Sequence, residues 1–363
     1  MKILFVDLER EWRGGQSQAL LALHGLRKCG YDAELLAARG SPVAVRCAEA
    51  GIPVHTAGRL ALRTGASQLA RELLLDERFA LAHLNEPHAL TAAWLIGAHK
   101  KLPLLLSRRI GFPLRKGRAA RARYAAVTRF VANSENVAQS LLDSGIAAER
   151  IAIVNEGVEI RPPVTESERK SAREHWGIRD EEFLFGCASV FTPEKGQRHL
   201  VEALPEVRTN HPEVRLLLAG DGACRAELEV LAKQRGLGDA VLFPGFVKNM
   251  EEFYAALDAF AFPSEFEGLG TALQAAMAAA LPCISTTRGA LGEVIEHERT
   301  ALVVEPDAKE IASAMLRLLE DRALRARLGE AGRHEVLDRF SVERMVANTL
   351  KVYEDVLRGA SKG

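Results

Sequence analysis

Strands and helices alternate along almost the whole chain, and one polar segment divides the alternation in two. Lys2 to Leu8 is a run of β-branched and large apolar residues, the pattern of a strand buried on both faces. Helical periodicity follows over 17–29, with Gly30 where a helix stop belongs. Strands are then expected at 32–37, 52–56, 81–85, 104–107, 130–133 and 151–154. Helices are expected at 41–50, 66–77, 91–99 and 134–144. Residues 156–180 are polar, with Pro162 and Pro163 as breakers, and read as an interdomain linker. Beyond them the strands resume at 184–189, 215–219, 240–243, 259–262, 283–285 and 301–304. The helices of this half are expected at 197–210, 225–235, 250–256, 271–280 and 292–296, then at 309–319, 322–338 and 342–357. Alternation of this kind makes the strands parallel and puts helices on both sheet faces. The fold class is therefore α/β, with two doubly wound domains in series. A ligand cleft is expected between them, at the carboxyl ends of the strands.

Length and composition narrow the function classes. A chain of 363 residues suits two ordinary domains. Lys plus Arg and Asp plus Glu both number 48, so net charge selects no bulk polyanion. The five cysteines form no CxxC pair, which suits free thiols in a reducing compartment and makes a zinc site unexpected. The first apolar run, MKILFVDL, is too short for a secretory signal. The longest uncharged run, 268–287, holds Gln274 and Pro282 and reads as a buried helix and strand. A cytoplasmic protein is expected.

The stretch that carries most chemistry is AFAFPSEFEGLGTALQAAMAAALPCIST, residues 259–286. Pro263 stops a strand, and Glu267, Gly268, Leu269 and Gly270 precede a long uncharged helix. Glycines there let a ligand approach the backbone, and the free N–H groups of the first helical turn attract anions. An acid beside an anion site suits a ligand with hydroxyls as well as phosphates. A plain strand-turn-helix crossover is the competing reading.

This stretch resembles the donor-binding signature of the retaining GT-B glycosyltransferases of family GT4. That signature runs Pro-Ser, Glu-Gly-Phe-Gly, then Leu-Glu-Ala-Met-Ala. Pro263, Ser264, Glu267, Gly268, Gly270, Leu273, Ala276, Met277 and Ala278 match it, while the second acid's place holds Ala275. Other segments resemble the family in the same order along the chain. Gly14 and Gly15 correspond to its Gly-Gly loop, facing the donor diphosphate and the acceptor; a simple turn is the other reading. Glu194, Lys195 and Gly196 match its Glu-Lys-Gly, whereas its glycine and arginine are here Ser189 and Val190. A surface lysine at a helix start is the bland alternative for Lys195. LLLAGDG, 216–222, resembles the strand under the nucleotide, with Gly220 at its end and Asp221 read as a turn residue. The segment after Gly245 resembles the one whose main chain, here at Val247, meets the base.

In the first half, His83-Leu84-Asn85-Glu86-Pro87-His88 ends a strand, where this kind of fold gathers ligand contacts. Each histidine alone has a structural explanation. Ser107-Arg108-Arg109-Ile110-Gly111 stands where many relatives carry a histidine near the sugar, and Arg109 aligns with it. An arginine cannot be a general base at neutral pH, but it can hold a leaving phosphate or an anionic acceptor. Asn155-Glu156-Gly157 resembles an Asn-Gly turn of the family, with Glu156 in the asparagine's place. Between Arg108 and Arg129 there are eight Lys and Arg, no acid, and interleaved Phe112, Leu114 and Tyr124. Such a stretch suits an anionic membrane or a phosphorylated acceptor; a solvated helix face is the alternative.

The resemblance implies a GT-B fold with two Rossmann-like domains. Residues 1–160 would form the acceptor-side domain and 161–340 the nucleotide-sugar domain, with 341–363 a helix crossing back to the first. It implies a metal-independent retaining transfer of a hexose-like unit from a UDP- or GDP-linked sugar to a glycan, lipid-linked or small-molecule acceptor. The setting implied is cell-envelope polysaccharide synthesis. Lys195, Glu267 and Arg109 would be catalytic. Gly14, Gly15, Ser189, Lys195, Gly220, Val247, Glu267, Gly268, Leu269, Gly270 and Gln274 would bind the donor. Asn85, Glu86, Arg108 and Arg109 would face the acceptor. No metal and no nucleic acid is expected, and peripheral contact with the inner face of an anionic membrane would run through 108–129. A GT-B sugar-nucleotide epimerase and a non-catalytic nucleotide-sugar-binding protein are the alternatives.

Overall fold

The structure is a computed structural model, and it describes residues 1–57 and 78–360. The helix expected at 66–77 lies outside the described residues. The chain divides into two compact units, Met1–Gly157 with Val342–Gly363, and Val158–Ser341.

The first unit is a seven-stranded parallel sheet. Its strands are β1 (Lys2–Asp7), β2 (Asp32–Ala38), β3 (Val54–Ala57), β4 (Leu81–Leu84), β5 (Leu104–Arg108), β6 (Arg129–Ala132) and β7 (Ile151–Ile153). Their order is β3-β2-β1-β4-β5-β6-β7. The order reverses beside β1, which sets the carboxyl ends of β1 and β4 apart as a switch point. Helices α1 (Gly14–Lys28) and α2 (Pro42–Glu49) pack on one face, and α3 (Pro87–Leu95), α4 (Arg118–Ala125) and α5 (Glu135–Asp143) follow the later strands. The terminal helix Val342–Ala360 joins the face of α1, where Met345, Val346 and Tyr353 enter the core with Phe5 and Leu23.

The second unit is a six-stranded parallel sheet of β8 (Phe183–Ala188), β9 (Val214–Ala219), β10 (Val241–Gly245), β11 (Ala259–Phe262), β12 (Cys283–Ser285) and β13 (Leu302–Val303). Their order is β10-β9-β8-β11-β12-β13, with the switch point between β8 and β11. Its core is near-continuous in the strands, from Leu184 and Phe185 to Leu216, Leu217, Phe260 and Ile284. Burial on both faces explains why these strands read as solid apolar runs.

Four local expectations change. Gly14 and Gly15 do not form a loop before α1; they are its first residues, and Gln16 reaches back to the Arg13 N–H at 3.2 Å. The helix expected at 91–99 begins at Pro87, because a proline suits a first helical position and Glu86 caps the helix. The polar segment 156–180 is not all linker. Thr165 and Glu168 form a capping box that opens helix α6 (Glu166–His175). Arg173 of α6 is buried and donates to Ala256 O at 3.2 Å, Asp258 Oδ2 at 3.0 Å and Glu182 O at 2.6 Å. Lastly, the helix expected at 292–296 is instead a single 3-10 turn at Leu291–Glu293.

Candidate functional site

In the second unit the carboxyl ends of β8, β9 and β10 close into one row. Gly220 N–H donates to Gly245 O at 2.8 Å, and a side chain on Gly220 would overlap the Ser189 carbonyl oxygen. Gly220 also has φ of +136°, which only glycine adopts readily. Ser189 Oγ accepts from Gln197 Nε2 at 2.6 Å at the start of helix α7 (Gln197–Asn210). Val247 is half-buried just past this row, with Phe246 beside it 66% exposed.

The turn bearing Lys195 is stitched to the segment after β11. Gly196 has φ of +70° and a Cβ there would overlap the Pro263 carbonyl. Glu265 N–H donates to Glu194 O at 2.8 Å, and Ser264 Oγ donates to the same oxygen at 3.2 Å. These bonds bring Lys195 Nζ to 2.6 Å from Glu267 Oε2, both side chains largely buried. Gly268 N–H donates to Glu267 Oε1 at 3.1 Å. Leu269 is buried, and Gly270 precedes helix α10 (Thr271–Ala278), the next after α9 (Met250–Ala256), and no side chain caps α10. A lysine, a carboxylate and an uncapped helix N-terminus thus meet on one strand edge, able to take an anion and hydroxyls together.

Gln274 does not join them. It is fully buried, its Nε2 donates to Leu269 O at 3.1 Å, and its Oε1 is buried without a partner. Its Nε2 braces the turn that precedes its own helix, and full burial keeps the side chain off the surface. Ala275, by contrast, is half-exposed. A cation missed in the sequence is Arg225 at the start of helix α8 (Arg225–Gln234). Its Nη2 donates to Phe243 O at 3.0 Å, but its Nε is paired with Glu229 at 2.9 Å.

In the first unit a second polar cluster forms at the switch point. Arg109 Nε donates to Glu156 Oε1 at 2.7 Å, Nη1 to Asn85 O at 2.9 Å and Nη2 to Asn85 Oδ1 at 2.8 Å. Asn85 Nδ2 donates to Gly15 O at 3.0 Å and to Asp7 Oδ2 at 2.6 Å, which also accepts from Gln16 Nε2 at 3.0 Å. Gly15, Asn85, Arg109 and Glu156 therefore assemble as one network, with Gly14 beside them at the start of α1. Asp7 and Gln16 belong to it and were not anticipated, because nothing local marks an acid at a strand end as a network centre.

Glu86 caps helix α3. Its carboxylate accepts from Leu8 N at 3.2 Å, from Ala89 N at 2.7 Å and from His88 N. Burial pushes its pKa up to about 7, and nearby Asp7 adds to the shift, against the pull of those three donors. Glu9, Glu86 and His88 lie close enough to share a cation, but the Glu86 oxygens are already engaged by backbone donors. Arg108 donates from Nη2 to Phe112 O at 2.7 Å, and burial draws its pKa down.

The basic stretch runs from the end of β5 through an irregular segment and α4 to the start of β6. Arg115, Lys116, Arg118 and Arg121 are exposed and make no ion pair among the described residues. Ile110 and Phe112 stand 49% and 56% exposed next to them. Among the described residues no helix is long and apolar enough to cross a membrane.

Comparisons with known proteins bear on the family and the fold. The family model described as glycosyl transferases group 1 matches residues 168–335, and that described as glycosyltransferase family 4 matches 12–161. The N-acetyl-alpha-D-glucosaminyl L-malate synthase of Bacillus anthracis is 33% identical over 192 residues, 53% of this chain and 50% of that protein. A GDP-mannose-dependent monoacylated alpha-(1-6)-phosphatidylinositol monomannoside mannosyltransferase of Corynebacterium glutamicum is 32% identical over 201 residues, 52% of each chain. The chain spans about half the length of the curated relatives it matches. Anabaena Alr3699/HepE, solved in complex with UDP and glucose, has the same fold, with a TM-score of 0.86 at 21% identity over 98% of this chain and 99% of that one. With one family model over each unit and the two parallel sheets both present, the chain belongs to the group 1, GT4 glycosyltransferases of the GT-B fold.

Proposed function

We propose that the chain transfers a hexose-like unit from a UDP- or GDP-linked sugar to an acceptor hydroxyl, with retention at the anomeric carbon and without a metal ion. The observation that carries this reading is the Lys195–Glu267 pair, 2.6 Å apart, next to the uncapped start of α10. Lys195 and the free N–H groups of α10 take the charge that develops on the leaving diphosphate. Glu267 holds sugar hydroxyls. Ser189, Gly220, Val247, Gly268, Leu269 and Gly270 offer main-chain or small polar contacts to the nucleotide. Arg109 stays charged and positions the acceptor side rather than acting as a base.

The names of the relatives span acceptors from L-malate to a phosphatidylinositol mannoside. The unpaired cations of 115–121 beside exposed Phe112 favour the anionic, lipid-linked end of that range. They also favour peripheral contact with the inner face of a membrane and a place in cell-envelope glycan synthesis.

The test is incubation with a panel of UDP- and GDP-sugars, with and without acceptor extracts and chelator. Acceptor-dependent nucleotide release that survives chelation, with a product of unchanged anomeric configuration, is expected. Epimerised sugar released without acceptor would mark a sugar-nucleotide epimerase. Saturable binding with no turnover would mark a binding protein, a reading that Val190 and Ala275 favour because each removes a donor contact.

A further inference from the structure

The row at the ends of β9 and β10 holds a guanidinium to which the transferase reading gives no role. Arg225 is the first residue of α8 and is half-buried. Its Nε donates to Glu229 Oε1 at 2.9 Å, and its Nη2 donates to the Phe243 carbonyl of β10 at 3.0 Å. One bond runs along its own helix and the other crosses to the strand, so the plane of the group is fixed. Nη1 is left over. The Asp221 carboxylate stands 3.8 Å from it, too far for a hydrogen bond, and Nη1 makes none among the described residues.

A second observation places that nitrogen. A Cβ on Gly245 would stand 3.1 Å from Arg225 Nη1. Gly245 ends β10 with φ of +80°, so glycine here both makes the turn and lets the guanidinium lie against the main chain. The two residues that follow are open. Phe246 is 66% exposed, a bare aromatic ring of the kind that a planar base covers. The Val247 N–H and C=O make no main-chain hydrogen bond within the described residues.

Two kinds of polar group therefore stand close together, and they read a base differently. The main chain at Val247 carries a donor and an acceptor, so it suits the edge of any base. A guanidinium carries donors only and keeps its charge. Uracil and guanine present a keto oxygen where cytosine and adenine present an amino group. Opposite Nη1 a keto oxygen gains a charge-assisted hydrogen bond, whereas an amino group sets donor against donor.

We propose that Arg225 selects the base of the donor nucleotide, admitting the keto bases uracil and guanine and rejecting cytosine and adenine. The assignment deepens the transferase reading and rests on its placing a nucleotide along this row. Lys195 and the start of α10 serve any nucleoside diphosphate, and Arg225 decides between them.

The experiment is calorimetric titration of the full chain with UDP, GDP, CDP and ADP. UDP or GDP is expected to bind about ten- to hundredfold tighter than CDP and ADP, the gain of one charged hydrogen bond. The tighter of the two keto nucleotides tells uracil from guanine. Arg225→Met should bring the ratio close to one by weakening UDP and GDP alone. Arg225 also braces β10 through the Phe243 carbonyl, and a purely structural role would instead weaken all the nucleotides alike. Arg225→Gln, whose amide both donates and accepts, should level the ratio too, and it is the readout if thermal melting shows the Met form unfolded. Equal binding of all the nucleotides by the wild type would overturn the assignment. So would a folded variant that keeps the ratio, or one that loses affinity for every nucleotide equally. If no nucleotide binds at all, the transferase reading fails with it, whereas binding without discrimination sinks the base rule alone.

Discussion

Lys195 Nζ and Glu267 Oε2, 72 residues apart in sequence, lie 2.6 Å apart on the carboxyl edge of the second sheet. Each neutralises the other in a largely buried position. On the proposed reading, an incoming diphosphate would compete with Glu267 for the lysine, while the sugar hydroxyls would offer the carboxylate new donors. The pair is thus arranged to exchange partners on binding rather than to be desolvated without compensation.

Lys195→Ala should remove most turnover while the fold survives. A charge-assisted contact to phosphate is worth roughly 1.5–3 kcal/mol, or about 10- to 150-fold. Steady-state nucleotide release, with circular dichroism as the fold control, reads the outcome. An unchanged rate would remove Lys195 from the site.

Ala275 is the half-buried position at which the family resemblance puts the acid for the ribose, and the neighbouring Gln274 is buried and faces inward. Ala275→Glu should tighten nucleoside diphosphate binding by on the order of 1–3 kcal/mol. Titration calorimetry on both forms decides. Equal or weaker binding by a folded Glu form would mean that the ribose lies elsewhere.

Arg118 and Arg121 stand exposed one turn apart on α4. Reversing both to Glu should weaken binding to phosphatidylglycerol vesicles, and the wild-type binding should fall with salt. If the wild type does not sediment with such vesicles, the stretch is a solvated face.

His83 gives a pH signature. Burial, with Arg109 adding to it, lowers its pKa to about 3. The unfolded chain, with an ordinary imidazole near 6.5, therefore binds more protons between these values. Stability from this group is full above about pH 6.5 and is lost as pH falls toward about 3. Urea unfolding of the wild type should show this loss between pH 7 and pH 5, and His83→Leu should flatten it while lowering stability at pH 7. An equal slope in the variant would assign the acid sensitivity to other groups.

Much of the architecture was legible because its causes are local. The helices Gln197–Asn210 and Met250–Ala256 follow from apolar periodicity and from what precedes them, a left-handed glycine at 196 and an Asn249 cap on Glu252 N–H. The parallel strands show as apolar runs because both of their faces are covered. Where local signals were weak the reading slipped. Helix Glu166–His175 reads as linker because it buries only Ala172 and Arg173 and so shows little apolar periodicity, although its capping box stands in the sequence.

The sequence alone determined the two α/β units, the order of their strands along the chain and the donor-like turns at 194–196 and 267–270, since each rests on neighbours within a few residues. Tertiary structure alone decided what those residues touch. It turned Gln274 inward, brought the Leu8 N–H just past β1 to the Glu86 carboxylate, and set His83 against Tyr353 from 270 residues away. The physical reason is that a side chain's partner is chosen by packing between elements, and a one-dimensional pattern holds the period of an element but not the neighbour it meets.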